Sequence, residues 1–267
     1  VSTDWLSENK HQVRIIDSSW HMPNSKRNSY QEYIDGHIEG AVFFDLEKNS
    51  DQNSHLPHML TSEKIWENIV SLYGIKNSDH IIIYDNSDLY TSCRCWYNFL
   101  YFGHSPNLVS VLDGGLKKWL LEKKDLTKEI KSFSKTTYKA KENNKLVFTK
   151  AEIDKNIDKK EYEVVDARGE RRFKGLDPEP RKNVKCGNIK NSKNIPFKLC
   201  INSNDNTFKN KEDLIKIFSN IKLNTKKDRV FTCGSGVTAC ILGLANSIIS
   251  GKTPKIYDGS WSEYGLE

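Results

Sequence analysis

The run Val13-Arg-Ile-Ile-Asp17, a short apolar stretch closed by an acid, returns as Tyr162-Glu-Val-Val-Asp166 at an offset of 149 residues. Three further blocks follow in register. Ile81-Ile-Ile-Tyr-Asp85 corresponds to Arg229-Val-Phe-Thr-Cys233 at 148, and Asp113-Gly-Gly with Trp119 to Asp258-Gly-Ser with Trp261 and Tyr264 at 145. Gly36-His-Ile-Glu-Gly-Ala-Val-Phe-Phe44 recurs more weakly from Gly187 to Phe197, the leading glycines 151 apart. A nearly constant offset in a chain of 267 residues implies a duplication, so the chain folds as two copies of one domain.

Within each copy short apolar strands alternate with amphipathic helical stretches. The helices are expected over Ser62 to Tyr73, Ser92 to Phe102 and Gly115 to Glu122, then Thr149 to Asn156, Asn210 to Asn220 and Val237 to Ser250. That alternation predicts an α/β fold in which each domain is a parallel sheet flanked by helices. Lys123 to Lys145, rich in Lys, Ser, Thr and Asn, reads as the connection. The expected domains are therefore 1–125 and 149–267, joined by a linker over 126–148.

The net charge of +6 and pI of about 8.8 are spread over loops, without a basic stripe interleaved with aromatics. Nucleic acid is not an expected partner, although the modest positive field suits a small anion. The six cysteines Cys93, Cys95, Cys186, Cys200, Cys233 and Cys240 are too few for a disulfide scaffold and lack zinc-site spacing. Free thiols in a reducing compartment follow. With no apolar run of membrane length and no hydrophobic core in the first residues, the sequence predicts a cytoplasmic protein that does not enter a membrane.

Chemistry concentrates at Val230 to Leu242, V-F-T-C-G-S-G-V-T-A-C-I-L. A strand ends at Cys233, Gly234 and Gly236 free the backbone to turn, and a helix begins at Val237. Backbone N–H groups and the positive end of a helix dipole then gather near the Cys233 thiol. Those donors favour the thiolate, the nucleophilic form, and can hold a persulfide in the same bowl. Cys240, inside the apolar helix, reads instead as a small buried hydrophobe. In the first copy Asp85 stands where Cys233 stands in the second, and N-S-D-L-Y-T-S-C lacks glycine, so that domain is expected to be silent as a sulfur carrier.

C-G-S-G-V-T-A resembles the active-site loop of the mercaptopyruvate sulfurtransferases within the two-domain rhodanese family. The resemblance spans nearly the whole chain: the His37 and Asp113 regions, Pro57-His-Met-Leu, Pro178-Glu-Pro-Arg181, the Cys233 loop and Asp258-Gly-Ser-Trp-Ser-Glu. It implies two tandem rhodanese-like domains, with Cys233 as nucleophile and Gly234, Ser235, Gly236, Val237 and Thr238 as the persulfide loop. Thiosulfate-using relatives usually carry basic residues in this loop, and none is present here.

The stretch A-R-G-E-R-R-F-K-G-L-D-P-E-P-R is either a solvated charged surface or an anion clamp, since the planar fork of arginine meets a carboxylate bidentately. It resembles the family's substrate loop, which implies that Arg172 and Arg181 bind the donor's carboxylate and ketone, while Arg168 pairs with local acids. His58, on its own a surface histidine, is implied by the resemblance to form a relay with Ser235, oriented by an acid eleven positions earlier. That acid is Glu47 where the family has Asp, and Asp45 is a substitute. Tyr90 and Arg94 match a family segment and either touch substrate or brace the fold. Asn188 replaces a family histidine that is structural.

The resemblance thus implies sulfur transfer from 3-mercaptopyruvate through a Cys233 persulfide to a thiol acceptor, such as a small protein dithiol, or to cyanide. No metal or organic cofactor is required. Thiosulfate is the first alternative donor, and a non-enzymatic sulfur carrier would need Cys233 but not the two arginines. A cysteine phosphatase of related fold would need Arg six positions after the cysteine, where this chain has Ala239.

Overall fold

Four consecutive apolar residues, Ile81–Tyr84, form a strand buried at every position, as a central strand covered on both faces must be. The computed structural model describes residues 1–221, 223–224 and 226–266. Its first sheet holds β1 (Arg14–Asp17), β2 (Ala41–Phe43), β3 (Ile81–Tyr84) and β4 (Val109–Val111). Its second holds β5 (Val147–Phe148), β6 (Glu163–Asp166), β7 (Lys193–Asn194), β8 (Arg229–Thr232) and β9 (Lys255–Tyr257). Every strand pair is parallel. The orders are β2-β1-β3-β4 and β5-β9-β8-β6-β7, so β1, β2, β3 and β4 match β6, β7, β8 and β9 one for one. The duplication read from sequence is a duplication of topology.

The helices are α1 (Thr3–Asn9), α2 (Ser29–Asp35), α3 (Glu63–Leu72), α4 (Ser92–Tyr101) and α5 (Gly115–Leu121) in the first half. The second half has α6 (Lys150–Lys159), α7 (Glu170–Phe173), α8 (Lys211–Asn220), α9 (Ala239–Ser250) and α10 (Ser260–Tyr264). Thr149 and Glu152 close a capping box at α6, and Asn210 caps α8 through the Asp213 N–H, which satisfies donors that a helix start leaves unpaired. One face of the first sheet packs Ile15, Ile82 and Tyr84 against Leu6, Leu116 and Trp119. In the second, Val164, Val230 and Tyr257 pack on Ile153, Ile189 and Trp261.

Contacts divide the chain into one unit of Val1–Gln52, Leu60–Asn143 and Ser203–Thr207, and another of Asn53–Met59, Asn144–Asn202 and Phe208–Glu267. Two features differ from what the sequence suggests. The polar stretch read as connection is laid along the first unit as far as Asn143. Thr136 N–H donates to Ser71 O at 3.0 Å, Lys141 N–H to Phe102 O at 3.0 Å and Asn143 N–H to Tyr101 O at 2.8 Å. It thereby supplies donors to carbonyls that the ends of α3 and α4 cannot satisfy internally, and Tyr138 is buried with its hydroxyl 3.1 Å from His104 Nδ1. Such a strap has no periodicity because its partners are helix ends. The second difference is that Asn53–Met59, which carries His58, belongs to the unit built from the second half.

Candidate active site

Strand β8 is the middle strand of its sheet, and Cys233 follows its last residue. The end of a central parallel strand is where such folds present ligand-binding groups. Cys233 is 2% exposed. Gly236 takes φ +75°, a left-handed value that a side chain would resist. Helix α9 begins at Ala239 rather than Val237, because Val237 and Thr238 form a tight turn that bonds Cys240 N–H and Ile241 N–H to their carbonyls.

The loop is anchored by a residue the sequence analysis passed over. Ser260 Oγ accepts from Cys233 N–H at 3.2 Å and Gly236 N–H at 3.1 Å, and donates to Tyr257 O at 2.8 Å. Trp261 N–H and Ser262 N–H donate to the Cys233 and Gly234 carbonyls. Two donors expected to face the sulfur are therefore spent on the loop's own support. Among the described residues the N–H groups of Gly234, Ser235, Val237 and Thr238 have no hydrogen-bond partner. The signal for Ser260 was present in the Asp258-Gly-Ser block, but only the fold brings it under the loop.

His58 is not a surface residue. It is 4% exposed, holds φ +60°, and its Nδ1 lies 3.1 Å from Ser235 Oγ, both side chains buried. A non-glycine residue in the left-handed region is uncommon and concentrates at functional sites. Glu47 belongs to the first unit, where its Oε1 accepts from the Trp20 indole N–H at 2.9 Å. Asp45 is engaged with Lys48, accepting from its N–H at 3.1 Å and meeting its ammonium at 3.3 Å.

The arginine-rich loop separates into two kinds of residue. Arg168, with a side chain 1% exposed, pairs with Asp166 at 2.8 Å and Glu179 at 2.8 Å, donates to Gly187 O at 2.8 Å, and lies 4.5 Å from the Trp261 ring centroid. It pairs with local acids, as the sequence analysis expects. Arg172 and Arg181 reach the Cys233 loop: a methyl at Gly234 would sit 3.3 Å from Arg172 Nη2 and 3.8 Å from Arg181 Nη1. Arg172 also donates through Nη2 to Glu179 Oε2 at 2.5 Å. Burial pushes the Asp166 carboxyl up despite Arg168 beside it. Arg171 only forms an exposed pair with Asp177, and Asn188 donates to Phe173 O, a support of α7.

In the first unit the position matching Cys233 is filled differently. Asp85 Oδ1 accepts from Ser87 N–H at 2.8 Å and Oδ2 from Ser92 N–H, the first residue of α4, at 2.9 Å. Donors do exist there without glycine, contrary to the sequence reading, but the chain's own carboxylate occupies them. Tyr90 lies in this unit, half-buried at φ +49°, its phenol pushed up to about 12 by burial and by Asp85 and Asp88. Arg94 is fully buried, 5.9 Å from the Tyr97 ring centroid.

All six cysteines are free. Burial pushes the Cys95 thiol well up and that of Cys200 to about 12, and Cys240 S–H donates to Gly236 O at 3.2 Å as a brace for the loop. No group of His, Cys, Asp or Glu among the described residues is arranged to hold a metal, and among them no helix is long and apolar enough to cross a membrane.

Comparison with known proteins gives the family of the chain. Residues 2–122 and 149–267 each match the family model described as rhodanese-like domain. The chain is 36% identical over 290 residues to thiosulfate/3-mercaptopyruvate sulfurtransferase 1, mitochondrial, of Arabidopsis thaliana, covering all of this chain and 76% of that one. It is 35% identical to human 3-mercaptopyruvate sulfurtransferase, over 99% of this chain and 91% of that. Among solved structures, Escherichia coli SseA, described with the rhodanese fold and catalytic mechanism of 3-mercaptopyruvate sulfotransferases, superposes with a TM-score of 0.88 at 32% identity, covering 98% of both chains. Two matched copies of one domain, a cysteine at the central strand end of the second and this full-length likeness lead to one conclusion: the chain belongs to the two-domain rhodanese family, among the thiosulfate and 3-mercaptopyruvate sulfurtransferases.

Proposed function

We propose that the protein is an enzyme that moves sulfur from 3-mercaptopyruvate to a thiol acceptor through a persulfide on Cys233, releasing pyruvate. The observation that carries this reading is the approach of Arg172 and Arg181 to Gly234, next to the nucleophile. Two guanidinium groups there can bind a carboxylate and an adjacent ketone with the donor's sulfur held against Cys233. The Cys233 thiolate attacks that sulfur, an S–S bond forms and the C–S bond breaks. Its electron pair leaves on carbon as the pyruvate enolate. His58 and Ser235 pass a proton from the substrate thiol to the enolate carbon. The terminal sulfur rests against loop N–H groups until an acceptor thiolate, from a small protein dithiol, or cyanide, removes it and restores Cys233.

The first domain, 1–125, is read as carrying no sulfur, since the Asp85 carboxylate fills its own cradle. Glu47 is read as the acid that orients His58, and Tyr90 as a substrate contact. Six free thiols fit a reducing compartment, and the cytoplasm is the proposed location.

Side-by-side kinetics with 3-mercaptopyruvate and thiosulfate test the proposal. Intact mass after donor treatment should rise by one sulfur in the wild type and not in Cys233→Ser, which should also lose turnover. Retained turnover in that variant would remove the assignment. The same two arginines favour a second reading, because positive charge beside Cys233 also suits thiosulfate, and a specificity constant for thiosulfate equal to or above that for mercaptopyruvate would select it.

A further inference from the structure

Between the buried Asp166–Arg168 pair and the Cys233 loop stands Glu179. Its side chain is 4% exposed, and it divides its two oxygens between two arginines. Oε1 accepts from Arg168 Nη1 at 2.8 Å, while Oε2 accepts from Arg172 Nη2 at 2.5 Å, with Arg172 Nε 3.4 Å from Oε1. Arg168 cannot swing, since Asp166, the Gly187 carbonyl and the Trp261 ring hold its remaining edges. Glu179 is itself flanked by Pro178 and Pro180, whose rings restrict the backbone on both sides. A rigid line of contacts thus runs from the sheet through Arg168 and Glu179 to Arg172, whose Nη2, the nitrogen bonded to Glu179, also ends beside Gly234.

The same residue sets the charge of the clamp. Its carboxylate, shared between Arg168 and Arg172, offsets one unit of their positive charge, and its removal would raise the charge of the clamp by one. We infer that Glu179 is a positioning and specificity-determining residue, which aims Arg172 at the donor and keeps the clamp one unit lower in charge, so favouring a monocarboxylate over a dianion such as thiosulfate. This inference rests on the sulfurtransferase reading. Selection of this kind works through a destabilising term for the wrong ligand as much as a contact for the right one.

Two variants separate aim from charge. Glu179→Gln keeps the shape but has one acceptor oxygen for two arginines. Its KM for mercaptopyruvate should rise, and the ratio of specificity constants should shift toward thiosulfate by at least about tenfold, the order one unit charge produces at about 12 Å in a medium of effective dielectric about 20. Glu179→Asp keeps the charge and shortens the reach, so KM for mercaptopyruvate should rise while the donor ratio moves less than in Glu179→Gln. Melting curves establish that both variants are folded. A ratio unmoved in Glu179→Gln, or moved equally in Glu179→Asp, overturns the inference while the wild-type activity still stands. A wild type inactive with both donors removes the sulfurtransferase reading and this inference with it.

Discussion

His58 Nδ1 lies 3.1 Å from Ser235 Oγ, with both side chains buried and the two residues 177 positions apart in the chain. The distance suits proton transfer, and the left-handed backbone of His58 costs about 1 kcal/mol or more that the surrounding structure must supply. His58→Ala should slow persulfide formation from mercaptopyruvate by about 10²–10⁴-fold, the usual share of general acid–base help, while Cys233 still alkylates. Single-turnover rates equal to wild type would show that the pair is structural only.

Ser260 anchors the Cys233 loop. Ser260→Ala leaves the Cys233 and Gly236 N–H groups, both buried, without their common acceptor, at a cost of about 1–3 kcal/mol for unsatisfied groups. A lower melting temperature together with a slower reaction at Cys233 is expected, measured by calorimetry and alkylation rate. Unchanged values of both would mean the loop holds its shape without the serine.

At Gly234 there is room for a side chain only at the expense of the arginines. A methyl would meet Arg172 Nη2 at 3.3 Å and Arg181 Nη1 at 3.8 Å, close enough to displace the former by a few tenths of an ångström. Gly234→Ala should therefore raise KM for mercaptopyruvate severalfold with little change in melting temperature. A KM within error of wild type would place the functional carboxylate site elsewhere.

Asp17 gives the first unit a pH dependence. Burial pushes its carboxyl up to about 6, against hydrogen bonds from Ser19 that favour the ionised form. Because this lies above the unfolded value of about 3.9, the folded state holds the proton more tightly, and that contribution is fully present below about pH 4 and lost as pH rises through about 6. Asp17→Asn keeps the acceptor oxygen without the charge, so it should raise the melting temperature at pH 7.5 and change it little at pH 4. An equal effect at both pH values would show that ionisation is not the cause.

Much of the site was legible before any fold was known. The four repeated blocks implied two domains, and the one-for-one matching of β1, β2, β3 and β4 with β6, β7, β8 and β9 carries the same duplication into topology. Apolar runs such as Ile81–Tyr84 read as buried strands because covered parallel strands need apolar residues on both faces. The distinction between Cys233 and Cys240 was also legible, since a strand, two glycines and a helix in succession leave one thiol at a loop and the other inside a helix.

The sequence by itself determined the alternation of strands and helices, its repetition and the place of Cys233 between a strand end and a glycine turn, because these depend on residue neighbours a few positions apart. Tertiary structure decided what each distant residue does. Arg168 and Arg172 stand four positions apart in one charged loop, yet one is locked by Asp166, Glu179 and Trp261 while the other reaches Gly234. His58 reads as surface in Leu-Pro-His-Met-Leu, and becomes buried only when residues 53–59 pack with the second half. Ser260 acquires its partners in the same way. Hydrogen bonds and burial between residues far apart in the chain exist only after the chain has closed on itself, so no local pattern records them.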